Sequence, residues 1–315
     1  MTGAVCWSPA QYVPIYFAGT NGYVGTVTDF WGKADAFSPP TRLYHRKRDL
    51  VSFVTIDPLQ QDSAKGVAQG AGIQGYLAVP DAGGGQGVPD AGEGQEVPGG
   101  SGAGGPWPGV VLIPEVFGLD DNMTLHADRL ARAGYLTLAV DIFGGQRGLR
   151  CVAAAVTALR RGQGPHFAVI EAARRWLLDR PDCTGQTGAI GFCVGGGFAL
   201  LTASTGFDVT AVNYGNLPPH PDTAFDGACP VVANYGKRDM TLRGAAAKLE
   251  AALSRARVEH DVREFPGAGH AFMNEEESGP RALRPLLRVM GVGPVPEAAP
   301  EAWARIEDYF ARYLR

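Results

Sequence analysis

Gly191-Phe192-Cys193-Val194-Gly195 is the stretch that decides how this chain is read. The apolar run Thr187-Gly188-Ala189-Ile190 before it reads as a strand. Gly196-Gly197-Phe198-Ala199-Leu200-Leu201 after it reads as the start of a buried helix. A nucleophile framed by Gly two positions to either side is the pattern of a nucleophile elbow, here with Cys in the position Ser often holds. The glycines have a steric reason. The strand-to-helix turn is so tight that the nucleophile sits in a strained backbone conformation, and side chains beside it would collide. The helix that follows aims its N-terminal N–H groups at the thiol and favours negative charge there. Gly-rich turns between strand and helix also form for packing alone, so the pattern needs support from elsewhere in the chain.

Composition narrows the function classes. The 315 residues are 45% hydrophobic and 19% charged, enough for a sizeable core in one α/β domain. A net charge of -4 gives no reason to expect a nucleic-acid partner. The five cysteines, Cys6, Cys151, Cys183, Cys193 and Cys229, are widely spread and show no C-x-x-C spacing. That indicates neither a disulfide framework nor a zinc site, and no metal or other cofactor is expected. A reducing, cytoplasmic setting is the simplest reading. The start lacks the basic and apolar regions of a signal peptide, and no apolar run is long enough to span a membrane.

The strands and helices are read outward from the elbow. Gly109 to Pro114 is a continuous apolar run, as expected for a central parallel strand. A loop Glu115-Val116-Phe117-Gly118-Leu119 follows it. Asp121 or Asn122 would cap the next helix, with Leu125, Leu130 and Ala133 on its apolar side and Gly134 at its end. Tyr135 to Val140 is the next buried strand, and helices follow over 149–161 and 165–179, the second with Pro at its first turn. Beyond the elbow, strands are predicted over 209–214, 229–235 and 259–265, with helices over 241–255 and 297–314. This alternation predicts an α/β fold, a mostly parallel sheet with helices on both faces. Upstream, 49–56 and 72–80 read as an antiparallel pair at the sheet edge. Residues 1–45 read as an N-terminal extension of uncertain structure, with a short strand at 11–17 and a turn at Asn21-Gly22. The main domain covers 46–315. A period-nine repeat (Val79-Pro80-Asp81-Ala82-Gly83, Val88-Pro89-Asp90-Ala91-Gly92, Val97-Pro98-Gly99) marks a flexible Gly/Pro-rich insertion at about 81–106, read as a tolerated loop expansion.

Cys193, Asp239 and His270 each fall at the carboxyl end of a predicted strand, the edge where sites form in open α/β sheets. The order nucleophile, acid, histidine, with spacings of 46 and 31 residues, leaves room for a strand–helix unit between each pair. Against this, Cys193 could be an inert buried thiol and Asp239 a turn former, with Asp208 and Asp226 as rival acids. His126 and His166 fall on predicted helices and read as surface residues.

The chain resembles the dienelactone hydrolase family of α/β-hydrolases. The matching motifs are Pro114-Glu115-Val116-Phe117-Gly118 with Asn122 after it, the elbow Gly191-Phe192-Cys193-Val194-Gly195-Gly196, the Asp239 turn, and Gly267-Ala268-Gly269-His270-Ala271-Phe272. The resemblance covers roughly 50–315. It implies that Cys193 attacks an ester or lactone carbonyl to form an acyl-enzyme, that His270 takes and returns the proton, and that Asp239 orients His270. It places the oxyanion hole at the backbone N–H groups of Val194 and Val116. It gives Glu115 the task of contacting the resting thiol and helping to deprotonate it. A carboxylate beside a thiol disfavours thiolate, so the resting Cys stays protonated and less open to oxidation. Candidates for substrate contact are Phe117, Phe143, Arg147, Phe272 and Asn274.

Two departures bear on the substrate. Family members that bind a substrate carboxylate use an arginine after the strand-end Asp-x-aromatic motif, where this chain has Gly144-Gly145. They use another four residues past the histidine, where it has Asn274, followed by Glu275-Glu276-Glu277. Arg147 or Arg150 would have to substitute. The expectation is therefore a small neutral or differently charged ester or lactone, handled by a monomer or small homo-oligomer. A non-catalytic homologue that binds a small molecule, and an acyltransferase using the same three residues, are the competing readings.

Overall fold

A computed structural model describes residues 51–56, 73–80, 105–146 and 148–314. The extension at 1–45, the repeat over 81–104 and Arg147 lie outside the described residues. Eight strands form one sheet: β1 (Val51–Ile56), β2 (Ile73–Ala78), β3 (Trp107–Ile113), β4 (Leu136–Val140), β5 (Cys183–Phe192), β6 (Val209–Asn213), β7 (Val231–Gly236) and β8 (His260–Phe265). Their order is β1-β2-β4-β3-β5-β6-β7-β8. β1 pairs with β2 antiparallel, as the sequence pattern at that edge predicts, and β2 also pairs with β4 antiparallel. Every other pairing is parallel.

The helices are α1 (Asp121–Arg132), α2 (Leu149–Arg161), α3 (Pro165–Leu178), α4 (Val194–Thr202), α5 (Ala245–Ala256), α6 (Arg284–Val289) and α7 (Ala299–Tyr313). They cover both faces because the central strands are apolar on both. Val110 and Leu112 of β3 join a core with Met123 and Leu130 of α1 and Trp303, Ile306 and Phe310 of α7. Their neighbours Val111 and Ile113 point the other way, into a core with Ala155 and Leu159 of α2 and Val169, Ile170 and Leu177 of α3. β8, at the edge, is mostly only partly buried or exposed.

The strand order sets the place of the site. β3 lies between β4 and β5, so the chain leaves it toward one edge and later builds toward the other. A crevice opens at the carboxyl ends of strands where the order reverses. The loops after β3 and β5, which carry Glu115 and Cys193, flank that point.

Four local expectations are corrected. The N-cap of α1 is Asp120, whose Oδ1 accepts from the Met123 N–H at 3.1 Å, rather than Asp121 or Asn122. Asn122 is buried instead, and its side-chain oxygen accepts from the Glu275 and Glu276 N–H groups. Ala133 is exposed. His126 and His166 are not surface residues: both are buried among aromatic rings, His126 against Phe192 and His166 against Phe198. A neutral imidazole is flat and mostly apolar, so it fills an aromatic core position at little cost. The short helix α6 had no sequence signal, since its apolar side chains Leu286 and Val289 face outward.

Candidate active site

Cys193 is the hinge between β5 and α4. Its φ of 56° and ψ of -120° belong to a region that side-chain-bearing residues rarely adopt. The flanking glycines are needed because a Cβ on Gly191 would lie 2.1 Å from the Gly195 carbonyl oxygen, and one on Gly195 would lie 2.2 Å from that of Ile113. The Cys193 N–H donates to the Asn213 carbonyl at 3.0 Å, which ties the elbow to β6. Val194 is the first residue of α4, where a backbone N–H has no helical acceptor and points outward. Val116 follows Glu115 in the loop after β3.

Asp239 ends the turn after β7 and His270 sits in the loop after β8. Two hydrogen bonds stitch these segments together, Lys237 N–H to Phe265 O at 3.0 Å and Arg238 N–H to Ala268 O at 2.9 Å. The result is a 2.5 Å hydrogen bond between His270 Nδ1 and Asp239 Oδ2. The other Asp239 oxygen accepts from the Thr241 N–H at 2.9 Å and hydroxyl at 2.6 Å, which fixes the carboxylate. Burial works against the charge on Asp239, but the hydrogen bond and charge of His270, helped by Thr241, hold its carboxyl below the usual range. Burial likewise pulls His270 down, yet the adjacent Cys193 and Asp239 outweigh it and hold the imidazole well above its ordinary value. The His270 side chain is close enough to Cys193 for the two to interact electrostatically. With Nδ1 on Asp239, the ring nitrogen left for the sulfur is Nε2. The rival acids are elsewhere: Asp208 accepts from the Thr187 N–H before the core of β5, and Asp226 is exposed.

Glu115 is buried, 2% exposed, within electrostatic reach of His270. Burial pushes its carboxyl from 4.5 up to about 7, with Asp120 adding to the rise and His270, Asn274 and Tyr214 opposing it. Its oxygens accept from Asn274 Nδ2 at 3.1 Å and from the Ser278 hydroxyl at 3.4 Å. Tyr214, just after β6, donates to Asn274 Oδ1 at 3.3 Å and lies close enough to Glu115 to act on its charge, and its ring centroid lies 5.1 Å from that of His270.

The candidates for substrate contact separate. Phe117 lines a cleft of about 540 Å³, together with Val116, Leu149, Val152, Pro280 and Leu283. Phe143 and Phe272 are interior instead: Phe143 packs edge-on against His166, and Phe272 packs against Tyr214 and Phe265. Asn274 is 3% exposed and its amide is fully engaged by protein groups, so it supports Glu115 from beneath rather than facing a substrate. Arg147 lies outside the described residues, and Arg150 is exposed on the first turn of α2. Among the described residues the cleft carries Asp120, Asp121, Glu276 and Glu277 against Arg284, whose Nε donates to the Gly279 carbonyl, and Glu277 is ion-paired with Arg288; the cleft meets the Glu115 loop at Val116, and Cys193 and His270 do not line it.

Sequence reasoning missed Tyr214, Ser278 and His126. Tyr214 had a usable signal, an aromatic hydroxyl ending a strand beside the elbow strand. Ser278 and His126 had none, since the contacts of Ser278 with Glu115 and of His126 with Asn274 depend on how the 274–278 segment folds against α1.

The Dienelactone hydrolase family model matches residues 98–314. A carboxymethylenebutenolidase from Rhodococcus opacus is 28% identical over 220 residues, which cover 65% of this chain and 81% of the relative. A dienelactone hydrolase-like promiscuous phosphotriesterase from metagenomic libraries superposes with a TM-score of 0.62 at 22% identity, over 84% of this chain and 99% of its own. The dienelactone hydrolase from Anabaena variabilis gives a TM-score of 0.53 at 19% identity, over 84% and 99%.

Proposed function

The chain belongs to the dienelactone hydrolase family and has its α/β-hydrolase fold, and from that premise we propose that it is a thiol hydrolase of small, uncharged or cationic esters or lactones. The observation that carries the reading is the 2.5 Å Asp239–His270 bond, with the imidazole within electrostatic reach of Cys193 on its strained turn. In the first step the Cys193 sulfur attacks the substrate carbonyl carbon, and its proton passes to His270 Nε2, directly or by way of Glu115. The oxyanion that forms is received by the Val194 and Val116 N–H groups. His270 then protonates the departing alkoxide, leaving a thioester on Cys193. Water, deprotonated by His270, attacks that thioester, and the acid is released with the thiol restored. Asp239 keeps Nδ1 protonated throughout, so Nε2 is the nitrogen that exchanges protons.

The substrate class follows from charge. Gly144-Gly145 and the internally engaged Asn274 supply no guanidinium, and among the described residues Asp120, Asp121, Glu276 and Glu277 line the cleft against Arg284, with Arg288 paired to Glu277. A substrate carboxylate would meet repulsion there, while an apolar group suits Val116, Phe117, Leu149 and Leu283, which line it. No helix among the described residues is long and apolar enough to cross a membrane.

The test compares initial rates of wild type and Cys193→Ala on a carboxylated dienelactone, a neutral lactone and a short p-nitrophenyl ester. The neutral compounds are expected to turn over, with a loss of at least a thousandfold in Cys193→Ala. Efficient cleavage of the dienelactone would overturn the charge argument. Turnover that survives in Cys193→Ala would overturn the nucleophile.

A further inference from the structure

We propose that His126, a residue of α1 that the reaction itself does not use, is a positioning residue for Glu115: its Nε2–H holds the Asn274 side chain in the one orientation that turns the amide N–H groups toward that carboxylate. The proposal rests on the hydrolase reading only for the role it gives Glu115.

The argument is a count of protons and lone pairs. Asn274 Oδ1 lies 3.2 Å from His126 Nε2 and 3.3 Å from the Tyr214 hydroxyl. Its Nδ2 donates to Glu115 Oε1 at 3.1 Å and to Ser278 Oγ at 2.6 Å. Reversing the amide would set its carbonyl oxygen against the ionised Glu115 carboxylate, which has no proton to give it. The observed orientation therefore requires a proton on His126 Nε2, which leaves Nδ1 as the bare nitrogen. His126 Nδ1 is buried with no hydrogen-bond partner, as that tautomer demands. Burial takes His126 from 6.5 down to about 4, so the ring stays neutral at neutral pH.

Tyr214 makes His126 indispensable to this arrangement. Tyr214 has one hydroxyl proton and two neighbours, Asn274 Oδ1 and Glu115. While Glu115 is protonated, it donates to the Tyr214 oxygen, and Tyr214 donates to Asn274. Once Glu115 ionises, the Tyr214 proton is wanted on the carboxylate, and Asn274 Oδ1 then depends on His126 alone. Without His126, either the carboxylate loses Tyr214 or the amide carbonyl is left buried and unpaired. Both outcomes disfavour the ionised state. The groups facing Glu115 are His270 from the loop after β8, Asp120 from the start of α1, Tyr214, Asn274 and Ser278, so α1 acts on the carboxylate through Asp120 directly and through His126 by way of the amide.

The place of His126 in the fold fits this task. Its ring stacks on Phe192, centroids 4.6 Å apart, and lies 5.1 Å from Trp303 of α7. Phe192 immediately precedes Cys193, so the imidazole is fixed by the same strand that carries the nucleophile.

The experiment is an infrared pH titration of the full chain, following the protonated-carboxyl band that disappears in Glu115→Gln. In His126→Phe the Glu115 titration is expected to move upward by about half a pH unit to one unit, the worth of one lost hydrogen bond. His126→Gln, whose side-chain N–H can donate to Asn274 Oδ1, should restore most of the wild-type value. In an Asn274→Leu background, His126→Phe should add nothing further. A folded His126→Phe protein whose Glu115 titrates as in wild type overturns the proposal, and so does a shift that persists undiminished in Asn274→Leu or in His126→Gln. If His126→Phe does not fold, His126→Leu takes its place under the same outcomes. The band needs no substrate, so this result stands apart from whether the chain hydrolyses an ester.

Discussion

Cys193 holds a backbone conformation that glycine would accept and a side-chain-bearing residue resists. Strain of this kind costs on the order of 1–3 kcal/mol, partly masked by the larger unfolded-state entropy of glycine. Cys193→Gly is therefore expected to be about 1 kcal/mol more stable than Cys193→Ala in urea unfolding, although both lack the thiol. Equal stability of the two variants would mean that the turn is relaxed. The nucleophile was legible in the sequence because this strain leaves a mark, the glycines that make room for it. His126 left none. A histidine inside an amphipathic helical pattern reads as solvent-facing, and only the Phe192 and Trp303 rings that enclose it reveal a core position.

At the scale of elements, the loops after β7 and β8 approach so closely that a Cβ on Gly236 would lie 2.4 Å from the Gly269 carbonyl oxygen. The histidine loop is held on its far side by 291–295. The His270 N–H donates to Gly291 O at 3.0 Å, Gly293 N–H to His270 O at 2.9 Å, and Val295 N–H to Phe272 O at 2.9 Å. A Cβ on Gly269 would sit 1.9 Å from the Gly291 carbonyl oxygen. Gly269→Ala should therefore displace the imidazole. The expected outcome is a fall in kcat of tenfold or more with a stability loss of about 1–3 kcal/mol, read by steady-state rates and denaturant unfolding. The alternation of strands and helices made most of these elements legible, because buried parallel strands are uniformly apolar and helix boundaries carry Gly and Pro. The clamp over 291–295 and α6 were not legible. The clamp is joined to the histidine loop by backbone hydrogen bonds, which any sequence can make, and Leu286 and Val289 of α6 point to solvent.

For the molecule as a whole, two buried groups shape stability against pH in opposite senses. Glu115 rises from 4.5 to about 7, so between those values the folded chain keeps a proton that the unfolded chain has lost, and stability falls as pH rises. His126 drops from 6.5 to about 4, so over that interval the unfolded chain carries the extra proton, and stability grows as pH rises. From 4.5 to 6.5 the two slopes offset. Glu115→Gln should remove one of them, leaving the chain about 3 kcal/mol more stable than wild type at pH 8 and little changed at pH 4.5, as measured by urea unfolding at each pH. A gain that does not vary with pH would show that the carboxyl is ionised without penalty.

The order of the site along the chain also has a consequence in time. Translation delivers the elbow first, then Asp239, then His270, and only afterwards the 291–295 segment that pins the histidine loop. At roughly 5–20 residues per second, the thiol emerges several seconds before its partners. During that interval Cys193 is an ordinary cysteine on an unfinished sheet, and a newborn chain stalled before Gly291 carries the nucleophile without the means to use it.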